Sequence, residues 1–157
     1  MFDFSKINFQ ATNTAGFKAP ATDVQITELE KYCGHTLPEN LKFILKNYNG
    51  GAPAACYFDV PDPDTGILLE WELNRFYVLD DNEGSPINIW GVIKNNSEFL
   101  EPNAIPFAED YNGQIYYLKW KNNIPQVWFL GYVDLEEPET QLLLPSFDEL
   151  LKGLYAK

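Results

Sequence analysis

The chain has 157 residues, of which 45% are hydrophobic and 15% aromatic, so we expect one packed domain over residues 1–157 and no extensive disorder. Its 23 Asp and Glu against 11 Lys and Arg give a net charge of -12. Such a surface repels nucleic-acid phosphates and anionic lipids, which argues against both as partners and leaves a cationic partner or plain solubility.

The first 20 residues carry scattered phenylalanines without a clear period. They are compatible with an extended arm, a short strand or a lead segment. They have neither the basic start nor the apolar run of a signal peptide, and no later stretch has the composition of a membrane span. We therefore expect a cytoplasmic protein in which Cys33 and Cys56 are free buried thiols.

Two helices are predicted in succession after residue 21. The first opens at Thr22-Asp23-Val24-Gln25, which is typical of a capping box, and ends at Gly34. The second has Pro38 in its first turn and Asn49-Gly50 as its left-handed stop. Each has an apolar face at helical spacing: Ile26, Leu29 and Cys33 in the first, and Leu41, Ile44, Leu45 and Tyr48 in the second. The sequence thus predicts an N-terminal helical pair.

After Gly51 the apolar period changes from that of a helix to that of a strand. Residues 55–60 and 67–79 are strand candidates joined by a turn at 61–66, so they predict a hairpin. In the second strand three apolar residues alternate with three polar ones: Leu69, Trp71 and Leu73 with Glu70, Glu72 and Asn74. Ser85-Pro86-Ile87-Asn88 then predicts a helix that has Pro86 at its first position.

The second half of the chain completes the predicted sheet. Asn112-Gly113 between apolar runs predicts a type I′ hairpin turn, and Lys121-Asn122-Asn123 predicts the next turn, before a strand at 126–133. Ser146 is expected to cap a closing helix. The whole pattern predicts an α+β fold: an N-terminal helical pair, a mainly antiparallel sheet of about five or six strands with helices packed on one side, an intervening helix and a C-terminal helix.

The sequence around the second helix resembles the "LP…FL…YNGG" signature of the SUKH superfamily. The residues that carry this resemblance are Leu37-Pro38, the Phe43/Leu45 pair and Tyr48-Asn49-Gly50-Gly51. Further stretches resemble other blocks of that superfamily in the same order: residues 105–110, 112–116, 125–129 and 147–154. Gln114 departs from the pattern, because the family often has Asp or Asn at that position. The superfamily contains bacterial immunity proteins against polymorphic toxins and a fungal regulator of cell-wall synthesis.

No catalytic, cofactor or metal site is predicted. Cys33 and His35 are two residues apart, yet Cys33 falls on the buried face of its helix, where a thiol acts as a small apolar side chain. The acidic residues near Gly66 do not match a calcium loop, because Pro61 and Pro63 occupy ligand positions. Paired carboxylates are too abundant for any one pair to indicate a general acid and base. We predict a protein without enzymatic activity.

The acidic stretches are also rich in aromatic residues. Only one alternate set of side chains on a strand can face the core, so some aromatic residues are expected outside, beside carboxylates. Such a surface suits a basic protein partner, although a block of charge can also be a solvated face. The predicted partner-binding residues are Asp59, Glu70, Trp71, Glu72, Asp80, Asp81, Glu109, Asp110 and Tyr111.

The resemblance implies a non-enzymatic immunity protein that binds and neutralises a cognate toxin effector, and the acidity suits a basic nuclease toxin. The alternative that it implies is a regulatory scaffold that binds other cellular proteins, as in cell-wall regulation. Both need a protein partner and no cofactor. The sequence leaves open which face binds the partner and whether the chain is a monomer or a dimer.

Overall fold

The computed structural model describes residues 2–11, 16–132 and 137–157. The elements in these residues are, in chain order, a 3-10 helix (Phe4–Lys6), β1 (Phe9–Gln10), α1 (Asp23–Cys33), α2 (Glu39–Asn47), β2 (Ala52–Pro53), β3 (Tyr57–Pro61), β4 (Leu68–Glu72), β5 (Arg75–Phe76), α3 (Ile89–Asn95), β6 (Ile105–Glu109), β7 (Ile115–Lys121), β8 (Ile124–Tyr132), β9 (Pro138–Leu144) and α4 (Phe147–Gly153). This confirms the predicted α+β class with its N-terminal helical pair, antiparallel sheet and C-terminal helix.

Strands β5 to β9 form a five-stranded antiparallel sheet in sequential order, while β3 and β4 form a separate two-stranded hairpin. The prediction of a single strand over residues 67–79 is therefore wrong. The backbone N–H of Leu73 donates to Cys56, beside β3, whereas that of Asn74 donates to Glu109 of β6. The chain changes sheets between these two residues, so β4 and β5 are distinct strands.

The type I′ turn lies at a different residue pair from the predicted one. Asn122 and Asn123 both have positive φ, 50° and 63°, and join β7 to β8. At the predicted pair only Gly113 has positive φ, because the β6–β7 loop spans residues 110–114 and is not a two-residue turn. The predicted end of the following strand, Val133, lies outside the described residues.

The predicted helix ends are confirmed at α1 and α4 but not at α3, and Pro38 precedes α2 and is not part of its first turn. Thr22 and Gln25 form the reciprocal capping box of α1, and the Ser146 hydroxyl accepts from an N–H of α4. At α3 the cap is Asn88, whose side chain accepts from two N–H groups of the first turn. Pro86 therefore precedes the helix, and its predicted place in the first turn is wrong.

The Asn49-Gly50 stop of α2 connects the helical pair to the strand layer. Asn49 is 1% exposed, and its side-chain amide donates to the carbonyl oxygens of Ala19 and Leu79, each at 2.9 Å. Its Oδ1 accepts from the N–H of Leu79, also at 2.9 Å. Gly50 has φ 79°, and a Cβ there would lie 2.7 Å from a methyl group of Val78. The family-like signature is thus explained by the fold itself.

The N-terminal segment contains a short strand, which decides between the alternatives stated above for the residues that the structure describes. β1 pairs antiparallel with β2 through Phe9 and Gln10. The Phe9 ring stacks on Tyr48, with 4.7 Å between ring centroids. Residues 12–15 of the predicted arm lie outside the described residues.

The main core lies where the β3–β4 hairpin, the five-stranded sheet and α4 meet. Phe58 of β3 contacts Tyr116 of β7 edge-on at 5.7 Å between centroids, and Phe107 of β6 contacts Phe147 of α4 at 5.3 Å. All four side chains are at most 1% exposed. Because the hairpin packs on the sheet through one face, its other face points away from this core.

Candidate functional site

The β3–β4 hairpin has an apolar inner face and an acidic outer face. Its antiparallel register places Asp59 directly opposite Glu70, and Tyr57 opposite Glu72. Because side chains alternate across a strand, these four residues share the outer face. Phe58 and the residues two positions from it along the strand point to the opposite face, toward the core. The predicted alternation of acidic and apolar residues in β4 is therefore present in the structure.

The outer face is already contacted by the C-terminal residues. The Tyr155 hydroxyl donates to Asp59 Oδ1 at 2.8 Å, and Glu70 Oε1 lies 3.3 Å from the same hydroxyl oxygen. The hydrogen bond to Asp59 is the main reason why the pKa of Tyr155 rises to about 12. Lys157 Nζ lies 2.8 Å from Glu70 Oε2 and 4.6 Å from the centroid of the Tyr57 ring, and its hydrogen bond lowers the pKa of Glu70. The outer face thus binds a cation in the folded chain.

A cleft of about 320 Å³ runs between β4 and the β6–β7 loop, and we call it the acidic cleft. It is lined by Glu70, Trp71, Glu72, Asp110, Tyr111, Asn112 and Tyr116. It therefore brings together five of the nine predicted partner-binding residues. Asp59 lies beside it, linked to Glu70 through the Tyr155 hydroxyl.

Aromatic side chains form the base of the acidic cleft. Trp71 is half-buried, and its ring meets that of Phe129 edge-on at 4.9 Å between centroids. The Tyr116 hydroxyl donates to the backbone carbonyl of Glu72, which fixes β4 to the sheet below. Tyr111 at the rim is 62% exposed. The cleft combines a rigid aromatic base with an exposed aromatic side chain and several carboxylates.

Asp110 is held in place by its own loop. Its Oδ1 accepts from the N–H groups of Asn112 and Gln114, and its Oδ2 accepts from the Gln114 side chain at 2.8 Å. Gln114 in turn accepts from the N–H of Tyr132 through Oε1. The residue that departs from the family pattern therefore ties the loop to the end of β8, and the Asp110 carboxylate remains beside the cleft.

The other three predicted residues lie away from the acidic cleft. Asp80 accepts hydrogen bonds from two asparagines of the loop that precedes α3, and Asp81 accepts one from Gln25 of α1. Glu109 is half-buried with its Oε1 3.4 Å from Arg75 Nε, and burial raises its pKa. The structure thus gives these carboxylates partners within the chain.

The two predicted free thiols are confirmed, and both are buried. The Cys33 Sγ lies 3.3 Å from the backbone carbonyl oxygen of His35 and 3.5 Å from that of Glu30, either of which can accept its proton, and burial raises the pKa of the thiol. The His35 ring stacks on Trp120 at 5.0 Å between centroids. The contacts of the thiol are thus with backbone oxygens and not with the imidazole.

Two kinds of site are absent from the part of the chain that the structure describes. Residues 2–11, 16–132 and 137–157 contain no group of three His, Cys, Asp or Glu side chains placed to hold a metal ion. None of the helices in these ranges has the length and apolar character needed to cross a bilayer.

Comparison with known proteins gives one finding. A family model described as the SMI1 / KNR4 family (SUKH-1) matches residues 20–153. No curated protein and no solved structure gives a significant match to the chain. The match includes both helices of the N-terminal pair, the hairpin, the sheet and α4.

Proposed function

The chain belongs to the SMI1 / KNR4 family (SUKH-1), a family of immunity-type and generally non-catalytic interaction domains, and from that premise we propose that it binds and neutralises a cognate toxin effector without catalysis. The partner is a protein with a basic contact surface, such as the nucleic-acid site of a nuclease toxin. The bound immunity protein occupies that site and excludes the substrate. Neutralisation of this kind needs tight binding and no reacting group.

The grouping of carboxylates around the acidic cleft carries this proposal. Glu70, Glu72 and Asp110 line the cleft above its aromatic base, Asp59 lies beside it, and exposed Tyr111 stands at the rim. A net charge of -12 attracts a basic partner over a distance and speeds encounter. Exposed ion pairs contribute only about 0.2–1 kcal/mol each, so the aromatic side chains must supply much of the affinity.

The contact between Lys157 and the outer face supports the same chemistry. One ammonium group lies between a carboxylate of Glu70 and the face of the Tyr57 ring. A lysine or arginine of a partner would find the same two kinds of contact along the hairpin. The face is thus suited to a cationic protein surface.

The test is capture of the partner and rescue from it. Tagged protein is used to capture partners from the native lysate at low and at high salt, and each partner is identified by mass spectrometry. We expect one principal partner with a basic domain, captured less well at high salt. Expression of that domain in a test host should stop growth, and co-expression of this chain should restore it.

Other outcomes would overturn the proposal. Capture of several housekeeping or signalling proteins, with no partner that is toxic when expressed alone, would favour a regulatory scaffold. Restored growth without a stable complex would contradict neutralisation by binding.

A further inference from the structure

One edge of strand β4 has no neighbouring strand in the part of the chain that the structure describes. Among those residues β4 pairs with β3 alone. Tyr57 of β3 exchanges both backbone hydrogen bonds with Tyr155, on the side of β3 away from β4. Its cross-strand neighbour Glu72 is therefore in a pair that is not hydrogen-bonded, and by alternation Leu68, Glu70 and Glu72 direct their N–H and C=O groups outward.

Most of these outward backbone groups have no partner within the described residues. The carbonyl of Glu72 accepts from the Tyr116 hydroxyl. The N–H and C=O groups of Leu68 and Glu70 make no hydrogen bond among residues 2–11, 16–132 and 137–157. An unpaired edge of this kind is a template for an added strand, which takes main-chain hydrogen bonds from it.

Side chains along the edge match a particular kind of strand. Leu68 and Leu69 are 62% and 43% exposed, and Trp71 lines the acidic cleft beside them. An added strand would lie about 4.8 Å from β4, along the cleft. Its outward side chains would meet Leu68, Glu70 and Glu72, and its inward side chains would meet Leu69 and Trp71.

We propose that the edge of β4 binds an extended segment of the protein partner by strand addition. The segment has Lys or Arg at alternate positions and apolar residues between them. This inference rests on the proposed function for the identity of the partner and adds how that partner is held. A second copy of the chain is a poorer occupant, because antiparallel β4–β4 pairing would bring Glu70 and Glu72 of two strongly acidic chains together.

The first test uses the synthetic peptide Lys-Val-Lys-Val-Lys-Val, with blocked ends, and ¹⁵N-labelled wild-type protein. We expect amide shifts and slowed hydrogen exchange concentrated at Leu68 and Glu70. The control peptide has the same sequence with N-methyl groups on alternate residues, which removes the donors that face the edge but keeps every charge. It should bind at least about fivefold more weakly, the effect of losing backbone hydrogen bonds. Equal affinity of the two peptides would overturn the proposal.

The second test changes the protein. Leu68→Pro removes one outward N–H, which an edge strand tolerates, and Leu68→Thr is the matched control that keeps it. Peptide affinity should fall about five- to tenfold for Leu68→Pro relative to Leu68→Thr. Far-UV circular dichroism checks that both variants fold. If Leu68→Pro fails to fold, the comparison of the two peptides on wild-type protein still tests strand addition.

The outcomes separate this inference from the proposed function. Equal binding of both peptides, together with rescue from the captured toxin, would reject strand addition and leave the immunity role intact. Edge-specific peptide binding without any toxic partner would support strand addition and reject the immunity role. Protection of the edge amides that rises with protein concentration in the absence of peptide would assign the edge to a second copy and overturn the proposal.

Discussion

Replacing Asn49 by Ala tests whether the Asn-Gly signature acts through the fold or through the partner. Three hydrogen bonds of 2.9 Å are lost, two accepted by the carbonyls of Ala19 and Leu79 and one donated by the N–H of Leu79. Each contributes about 1 kcal/mol net, so the free energy of unfolding should fall by about 3 kcal/mol. That is a large part of the 5–15 kcal/mol typical of a domain.

Urea unfolding followed by tryptophan fluorescence measures this loss. Asn47→Ala is the matched control, because the exposed Asn47 side chain makes a single hydrogen bond within the described residues, to a carbonyl of its own helix. We expect the control to change stability by less than about 0.5 kcal/mol. Folded Asn49→Ala should retain its affinity for the partner. A loss below about 1 kcal/mol, or lost affinity with unchanged stability, would refute the structural role of Asn49.

Three further predictions concern single residues. Gly91→Ala should lower stability by about 1–3 kcal/mol, since a Cβ there would lie 2.5 Å and 2.6 Å from two backbone oxygens, whereas Gly153→Ala meets open space; thermal unfolding of both compares them. Lys157→Ala should raise the pKa of Glu70 in a carboxyl ¹³C titration, because the lysine is the main cause of its lowering. A lowered pKa contributes stability that is present above the pKa of unfolded Glu and lost as pH falls through the folded one, so the stability difference between this variant and wild type should vanish in acid. Cys33→Ser should leave partner binding and rescue unchanged; loss of rescue by a folded variant would instead support a catalytic thiol.

Local sequence rules were sufficient where a structure depends on neighbours along the chain. The capping box of Thr22 and Gln25, the stop at Gly34 and the alternation of Glu70 and Trp71 all depend on residues within one turn or one strand. Each was predictable because side-chain period and backbone hydrogen bonding act over a few residues.

Features that depend on distant residues were not predictable. The change of sheet at Leu73 depends on bonds to two strands far apart in the chain, and the contact of Tyr155 with Asp59 spans 96 positions. Strand β9 was missed because most of its side chains are exposed, so it lacks an apolar alternation. No local pattern indicates these pairings.

Dependence on distant residues also explains why only some of the predicted partner-binding residues lie together at the acidic cleft. Glu109 and Asp110 are adjacent and chemically alike, yet Glu109 ends β6 opposite Arg75, while Asp110 begins the loop beside the cleft. Their composition alone makes the two residues equally good candidates for partner binding. Their difference comes from burial and cross-strand register, which only the folded chain defines.

A matched charge reversal tests most directly whether a basic partner binds at the acidic cleft. The double variant Glu70→Lys/Glu72→Lys changes the cleft, and Glu28→Lys/Glu98→Lys makes the same change in net charge at exposed positions outside it. Affinity for the captured partner is measured for both at low and high salt. We expect at least about tenfold weaker binding and lost rescue for the cleft variant alone. Equal effects of the two variants would contradict a localised site and leave the acidity as a general property of the surface.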